Sequence, residues 1–152
     1  MTRLVFRCPK LLPVSPQTAF TFHLEPGNLV RISPSWIRVH RVEAPAVLHP
    51  GARVEVRVRA FGLLPQRWLV EIAVLQPPDV LVDVALQGPY RRWRHTHRFR
   101  SVPGGTEMTD EIEYELPGGW LGRLVDPVFH RPVLRALFRE RHARTARLLG
   151  GG

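Results

Sequence analysis

Hydrophobic and polar residues alternate with period two through the middle of the chain and with a period near 3.6 at its end. In ARVEVRVRAF, Val54, Val56 and Val58 alternate with Arg53, Glu55, Arg57 and Arg59. That is the pattern of a strand with one buried and one wet face. Similar segments predict strands over 36–43, 68–75, 80–87, 90–102 and 106–116. Turns are expected at Gly62–Pro65, Pro77–Asp79, Gly88–Pro89 and Pro103–Gly105. Short strands joined by tight turns predict an antiparallel meander. The apolar-rich stretch 3–12 predicts one further strand at the start. Ser15 suits a helix N-cap and Pro16 the first helical position, so a short helix is expected through Leu24, ended by Pro26-Gly27. A second short helix is expected over Asn28–Ile32, stopped by Pro34.

From Leu121 the period changes. Leu121, Leu124, Val125, Val128 and Phe129 share one helical face, and Leu134, Leu137, Phe138, Ala146, Leu148 and Leu149 continue an apolar stripe. Arg131, Arg135, Arg139, Arg141, Arg144 and Arg147 are assigned to the opposite, wet side. Pro127 and Pro132 each remove a backbone donor, so the first part of this long helix should bend. The order is strand, two short helices, six strands, long helix. A curved antiparallel seven-stranded sheet with one face covered by the helix is an α+β fold. One domain over residues 1–149 is expected, with 150–152 as a frayed tail.

Composition narrows the function classes. The net charge is +9, and Lys10 is the only lysine. The arginines are spread along the whole chain, which argues for a generally basic surface rather than a nucleic-acid patch. Cys8 is the single cysteine, so no intramolecular disulfide can form. The start lacks the apolar core and cleavage site of a signal peptide, and no window reaches the roughly 18 apolar residues of a membrane span. A cytoplasmic protein is expected.

Four segments carry a resemblance: LVDVALQGPY at 81–90, GPYRRWRHTHRF at 88–99, TEMTDEIEYELPGGWLG at 106–122 and LRALFRERHARTARLL at 134–149. Together with the element order they resemble the SRPBCC superfamily, and within it the bacterial cyclase/dehydrase-like branch. The resemblance implies a helix-grip fold with a deep pocket between the concave face of the sheet and the C-terminal helix. The scaffold hosts carriers, enzymes and sensors, so it does not by itself name a function.

Alternation divides GPYRRWRHTHRF between two faces. Trp93, His95, His97 and Phe99 form the set expected inside. Tyr90, Arg92, Arg94, Thr96 and Arg98 form the set expected in water. On the next strand Met108, Asp110, Ile112, Tyr114 and Leu116 are expected inside, opposite Thr109, Glu111, Glu113 and Glu115. His97 should then lie opposite or diagonal to Asp110, and Arg92, Arg94 and Arg98 should face Glu111, Glu113 and Glu115. Trp68, Val70, Ile72 and Val74 share a face, with Trp68 aimed at the pocket. For strand 80–87 parity leaves the inner face open; the resemblance implies Asp83 and Gln87 inside.

The pocket expectation is an apolar cavity with a few convergent polar groups. Trp68, Trp93, Phe99, Met108, Tyr114, Leu134 and Phe138 would wall it, and Asp83, Gln87, His95, His97 and Asp110 would orient a polar head. The occupant would be a hydrophobic or amphipathic small molecule. The alternative is a cyclase/dehydratase-like enzyme with His97 and Asp110 as a buried acid/base pair. No nucleophile motif, paired-carboxylate spacing or cofactor signature accompanies them. His95 and His97 have ligand spacing, with Asp110 or Asp83 as a third ligand, but an HxH pair alone does not specify a metal, and neither metal nor cofactor is expected. A carrier that docks transiently on a membrane would use the apolar and arginine faces of the last helix together. Nucleic acid is not expected, because a covered sheet offers no stacking platform.

Overall fold

A computed structural model of the chain describes residues 3–150. The elements are β1 (Leu4–Leu12), α1 (Pro16–His23), α2 (Asn28–Ile32), β2 (Ile37–Glu43), β3 (Arg53–Ala60), β4 (Leu64–Gln76), β5 (Val80–Gln87), β6 (Arg92–Val102), β7 (Gly105–Glu115), α3 (Trp120–Val125) and α4 (Arg131–Gly150). A π-helical turn, Asp126–His130, joins α3 to α4. The seven strands form one antiparallel sheet in the order β1-β7-β6-β5-β4-β3-β2. This is the expected α+β helix-grip fold. No helix among the described residues is long and apolar enough to cross a membrane. Gly150 closes α4 rather than beginning a tail; residues 151 and 152 lie outside the described part.

Local chemistry accounts for most boundaries. The Ser15 hydroxyl accepts from the Thr18 backbone N–H at 3.2 Å, with Pro16 at the first helical position. The β6–β7 hairpin turns through Pro103-Gly104, with Gly104 at φ +91, a pairing suited to a type II turn. The strand expected from Trp68 begins earlier, at Leu64. Pro65 is tolerated there because β5 pairs with β4 only from Leu69 onward, so residues 64–68 have a partner on one side.

β4 also departs from simple alternation. Its register with β5 shifts between Ile72 and Val74, so Leu75 opposes Leu81 and Val74 opposes Val82. The bulge moves Val74 off the inner face and brings Leu75 onto the core. Thr96, expected in water, is buried between its outer-face neighbours. The expected charge ladder is present with changed partners. Arg92 reaches Glu115 and Arg94 reaches Glu113, whereas Glu111 is taken by Arg7 of β1 and Arg98 opposes Thr109.

The core has two helix-covered parts and one that faces open space. Leu12, Phe20, Leu81, Phe99 and Met108 pack beneath α1 and the end of α4. Phe6, Trp93, Ile112, Tyr114, Leu134 and Phe138 pack beneath the start of α4. Burying a side chain such as Phe138 stabilises the fold by about 2–3 kcal/mol. The third group, Val54, Val56 and Val58 with Val70 and Trp68, is roofed by α2 through Leu29 and borders a cavity.

The expected apolar stripe of the last helix is corrected in its first half. Leu121, Leu124, Val125, Val128 and Phe129 do not cover the sheet; they are exposed, Val128 to 81%. The π-helical turn rotates this segment, and Asp126 rather than the apolar face points inward. Leu148 is exposed as well, while Leu134 and Phe138 keep the stripe and Leu137, Ala146 and Leu149 pack against the core. Arg141, assigned to the wet side, instead lines the cavity.

Candidate functional site

A cavity of about 510 Å³ lies between the sheet, α2 and α4. Its apolar wall comes from Val54, Val56, Val58, Trp68, Trp93, Leu134 and Phe138, and its polar floor from Asp83, His95, His97, Asp110, Arg141 and His142. Of the expected pocket residues, Trp68, Asp83, Trp93, His95, His97, Asp110, Leu134 and Phe138 border this space. Four do not. Gln87 is exposed at the strand end, where its side-chain oxygen accepts from Arg67 at 2.7 Å. Phe99 and Met108 are consumed by the core under α1. Tyr114 is sealed beneath α4, and its hydroxyl donates to Asp126 at 2.6 Å.

Aromatic packing shapes the wall. The indoles of Trp68 and Trp93 meet edge-on with centroids 5.1 Å apart. Gly88 makes room for them: a Cβ there would come within 3.2 Å of the Trp68 ring. Tyr90, expected in water, sits in the turn before β6 and lies 4.6 Å from the Trp93 ring, on the cavity wall. The alternation rule does not reach it because it precedes the strand.

The floor centres on Asp110. The β6–β7 register sets His97 opposite Asp110 and His95 opposite Ile112. His95 Nε2 donates to Asp110 Oδ1 at 2.7 Å. His97 Nδ1 lies 2.8 Å from the same oxygen, too oblique for a directed hydrogen bond, and this buried nitrogen has no other partner. His142 of α4 donates from Nε2 to Asp110 Oδ2. Behind it, the Cys8 sulfur lies 3.5 Å from His142 Nδ1. Asp83 of β5 faces both strand histidines, with Oδ2 3.4 Å from His97 Nε2 and 3.9 Å from His95 Nδ1. Asp83, His95 and His97 each place one potential ligand atom within 4.8 Å of the others.

Burial and charge act in opposite senses on this cluster. Burial alone would lower His97, but the carboxylates of Asp110 and Asp83 raise it to about 9. Burial and the His97 charge lower His95. The same pair of causes lowers His23, the last residue of α1, to about 4; its ring lies 5.5 Å from that of His97. Burial would raise Asp110, yet His97 and the three imidazole contacts hold its carboxyl well below the usual range. Burial and Asp110 push the Cys8 thiol up, the opposite of what activates a nucleophile.

Arg141 is the odd member. Its Nε is buried without a hydrogen-bond partner, and its guanidinium carbon stands 5.5 Å from the Phe138 ring centroid. Among the described residues it pairs with no carboxylate. Burial lowers its pKa to about 10, although Asp110 and Asp83 oppose the shift.

A second polar network braces the helix junction. Asp126 accepts from Tyr114, from His130 Nδ1 at 2.9 Å and from Arg131 Nε at 3.2 Å. The Tyr90 hydroxyl then donates to His130 Nε2 at 2.7 Å. His23, Tyr90, His130, Arg141 and His142 were not among the expected site residues. His142 was open to detection, since it falls four residues after Phe138 on the same helical face.

The family model for polyketide cyclase/dehydrase and lipid transport proteins matches residues 12–138. The chain belongs to this family. No curated protein sequence matches it. Among solved structures, the family member's fold is similar to TTHA0849 from Thermus thermophilus, with a TM-score of 0.75 and 18% identity, covering 97% of this chain and 100% of that one. It is similar to StfQ, a di-domain ARO/CYC from the steffimycin biosynthetic pathway, with a TM-score of 0.78 and 14% identity over 97% of this chain and 50% of that one. Ara h 8.0201 aligns with a TM-score of 0.65 at 13% identity, covering 95% and 98%. At these identities the structural likeness establishes the fold.

Proposed function

We propose that this family member binds a hydrophobic or amphipathic small molecule with an acidic or hydrogen-bond-accepting head. The observation that carries the reading is the cavity itself: apolar walls ending on a polar floor in which the buried Nε of Arg141 has no partner. Leaving such a donor unpaired costs about 1–3 kcal/mol, and a guest with an oxyanion would satisfy it. The walls suit an acyl chain or a fused-ring body, and a cavity of this size falls in the range of small-molecule sites. A cytoplasmic carrier or sensor fits this role.

The exposed apolar segment of α3 and the π-helical turn supports exchange at a membrane surface. Trp120, Leu124, Val128 and Phe129 project outward beside Arg123, and Phe129 also borders the cavity. An apolar ridge flanked by arginine on a chain of charge +9 suits an anionic bilayer.

A second reading, a cyclase- or dehydratase-like enzyme, is favoured by the 2.8 Å approach of His97 to Asp110 inside the cavity. Native mass spectrometry and solvent extraction of the purified protein separate the two. A copurified apolar acid, with no turnover of aromatic polyketide-like substrates, supports the carrier. Turnover lost in a folded His97→Gln protein supports the enzyme. Failure of any long-chain acid or aromatic acid to displace a fluorescent apolar probe would overturn the binding reading.

A further inference from the structure

We propose that Asp83, His95 and His97 form a three-ligand site for a divalent transition-metal ion of the zinc class on the floor of the cavity. The inference goes against the expectation drawn from the HxH spacing alone, and it rests on the cavity reading for the ion's access to a guest. Neighbouring strands supply the ligands. The β5–β6 register sets Asp83 directly opposite His95, and His97 follows two positions later on the same face. One carboxylate and two imidazoles therefore converge from a rigid sheet.

The distances approach those around a shared centre. The three donor atoms lie within 4.8 Å of one another. His97 Nε2 makes a long hydrogen bond of 3.4 Å to Asp83 Oδ2, and His95 Nδ1 stands 3.9 Å from the same oxygen, beyond hydrogen-bond reach. Two donors bound at about 2.0–2.2 Å to one tetrahedral ion stand about 3.3–3.5 Å apart. The Asp83–His97 pair already has that spacing, and the widest pair, up to 4.8 Å apart, would close by about 1.3 Å on binding the ion.

The surroundings are those of a ligand set held from behind. Each histidine turns one nitrogen toward Asp83 and the other toward Asp110 Oδ1, at 2.7 Å for His95 Nε2 and 2.8 Å for His97 Nδ1. A carboxylate behind a ligating imidazole fixes its orientation and raises its basicity. Asp110 is itself held by His142. His97 Nδ1 lacks a directed partner but lies 2.8 Å from Asp110 Oδ1, so a ring rotation that lets it donate there also re-aims Nε2. Asp83, His95 and His97 all border the cavity. The remaining coordination positions therefore open toward a guest, as in catalytic rather than structural sites. A nitrogen- and oxygen-donor set without thiolate suits Zn²⁺, Co²⁺ or Fe²⁺ better than Ca²⁺ or Mg²⁺. A bound ion would polarise a carbonyl oxygen of the guest, a role the sequence alone did not assign.

The test uses the full chain, stripped with a chelator and titrated with Co²⁺ and then Zn²⁺. The expected result is one Co²⁺ per chain with the visible absorption bands of a low-coordinate ion, bleached by one equivalent of Zn²⁺. Binding should weaken at least 100-fold in Asp83→Asn and in His97→Gln, and be unchanged in His49→Ala, which alters an exposed histidine. Circular dichroism of each variant identifies any that fails to fold, and the wild-type spectrum stands without them. Absence of one-equivalent Co²⁺ binding, or its full retention in folded Asp83→Asn and His97→Gln, overturns the metal site. Displacement of an apolar fluorescent probe from the metal-stripped protein reports on the cavity separately. A cavity that binds the probe but no Co²⁺ sinks the metal proposal alone, and a Co²⁺ site without probe binding sinks the carrier reading alone.

Discussion

Replacing Arg141 by methionine is expected to make the protein more stable and less able to hold an acidic guest. The arginine is carried on α4 with its Nε sealed and unpaired. Burial brings its pKa down from the ordinary guanidinium range to about 10, equivalent to about 3 kcal/mol of unfavourable free energy. About 1–3 kcal/mol is therefore to be recovered when the buried, unpaired charge is removed. Methionine keeps an unbranched stem against Phe138, so packing changes little. For a chain of this length each kcal/mol moves the melting temperature by about 2–4 °C, so Arg141→Met should melt about 2–12 °C higher. The sign with pH follows from the lowered pKa. The penalty of keeping the guanidinium charged is full below about pH 10 and fades only above it, so the gain should be level between pH 6 and 8. Binding should move the other way. A hydrogen bond to a charged group contributes about 1.5–3 kcal/mol. Affinity for a long-chain carboxylic acid should therefore fall roughly 10- to 150-fold, while affinity for the matching alcohol changes little. Thermal melts and fluorescent-probe displacement measure both. A destabilised variant, or equal loss for acid and alcohol, would refute the assignment of Arg141 as an anion-binding group.

Asp126→Asn should cost about 2–4 kcal/mol at pH 7, because Tyr114, His130 and Arg131 all converge on that carboxylate. Burial would raise the Asp126 pKa, but those partners lower it below its ordinary 3.8. Its contribution is thus present above about pH 4 and lost as the pH falls further, so urea melts should show the gap to wild type closing below pH 4. Gly105→Ala should destabilise by several kcal/mol or prevent folding, since its φ is +146 and a Cβ would lie 2.0 Å from the Leu12 carbonyl oxygen; soluble yield and melting temperature report it. Paired Val128→Asp and Phe129→Asp substitutions should reduce cosedimentation with anionic vesicles without lowering the melting temperature, because both side chains are exposed. Unchanged vesicle binding would remove the ridge as a docking surface.

The fold was legible because its signals are local. Alternation in β3, the Ser15-Pro16 cap and the Pro103-Gly104 turn each determine a piece of backbone without help from distant residues. Parity also brought His97 against Asp110, since a tight hairpin fixes register and register fixes faces. Alternation and helical period mislead where one irregular residue changes the phase. The β4 bulge turned Val74 out. The π-helical turn put Asp126, not Leu121 to Phe129, on the inner side of the helix junction.

Membership of the inner face of β6 and β7 was thus written in the sequence, but membership of the cavity was not. Phe99 and Met108 have the same parity as Trp93 and Asp110, yet α1 covers the first pair and leaves the second beside open space. Arg141 reads as one more solvated arginine of α4 until the helix is docked, when its Nε becomes a buried donor. Asp83 reaches His95 and His97 only through strand pairing, and His142 reaches Asp110 only across the helix–sheet interface. Period and turn chemistry are properties of neighbours along the chain. The polar floor depends on which elements press together and where they leave space, and that is settled by packing.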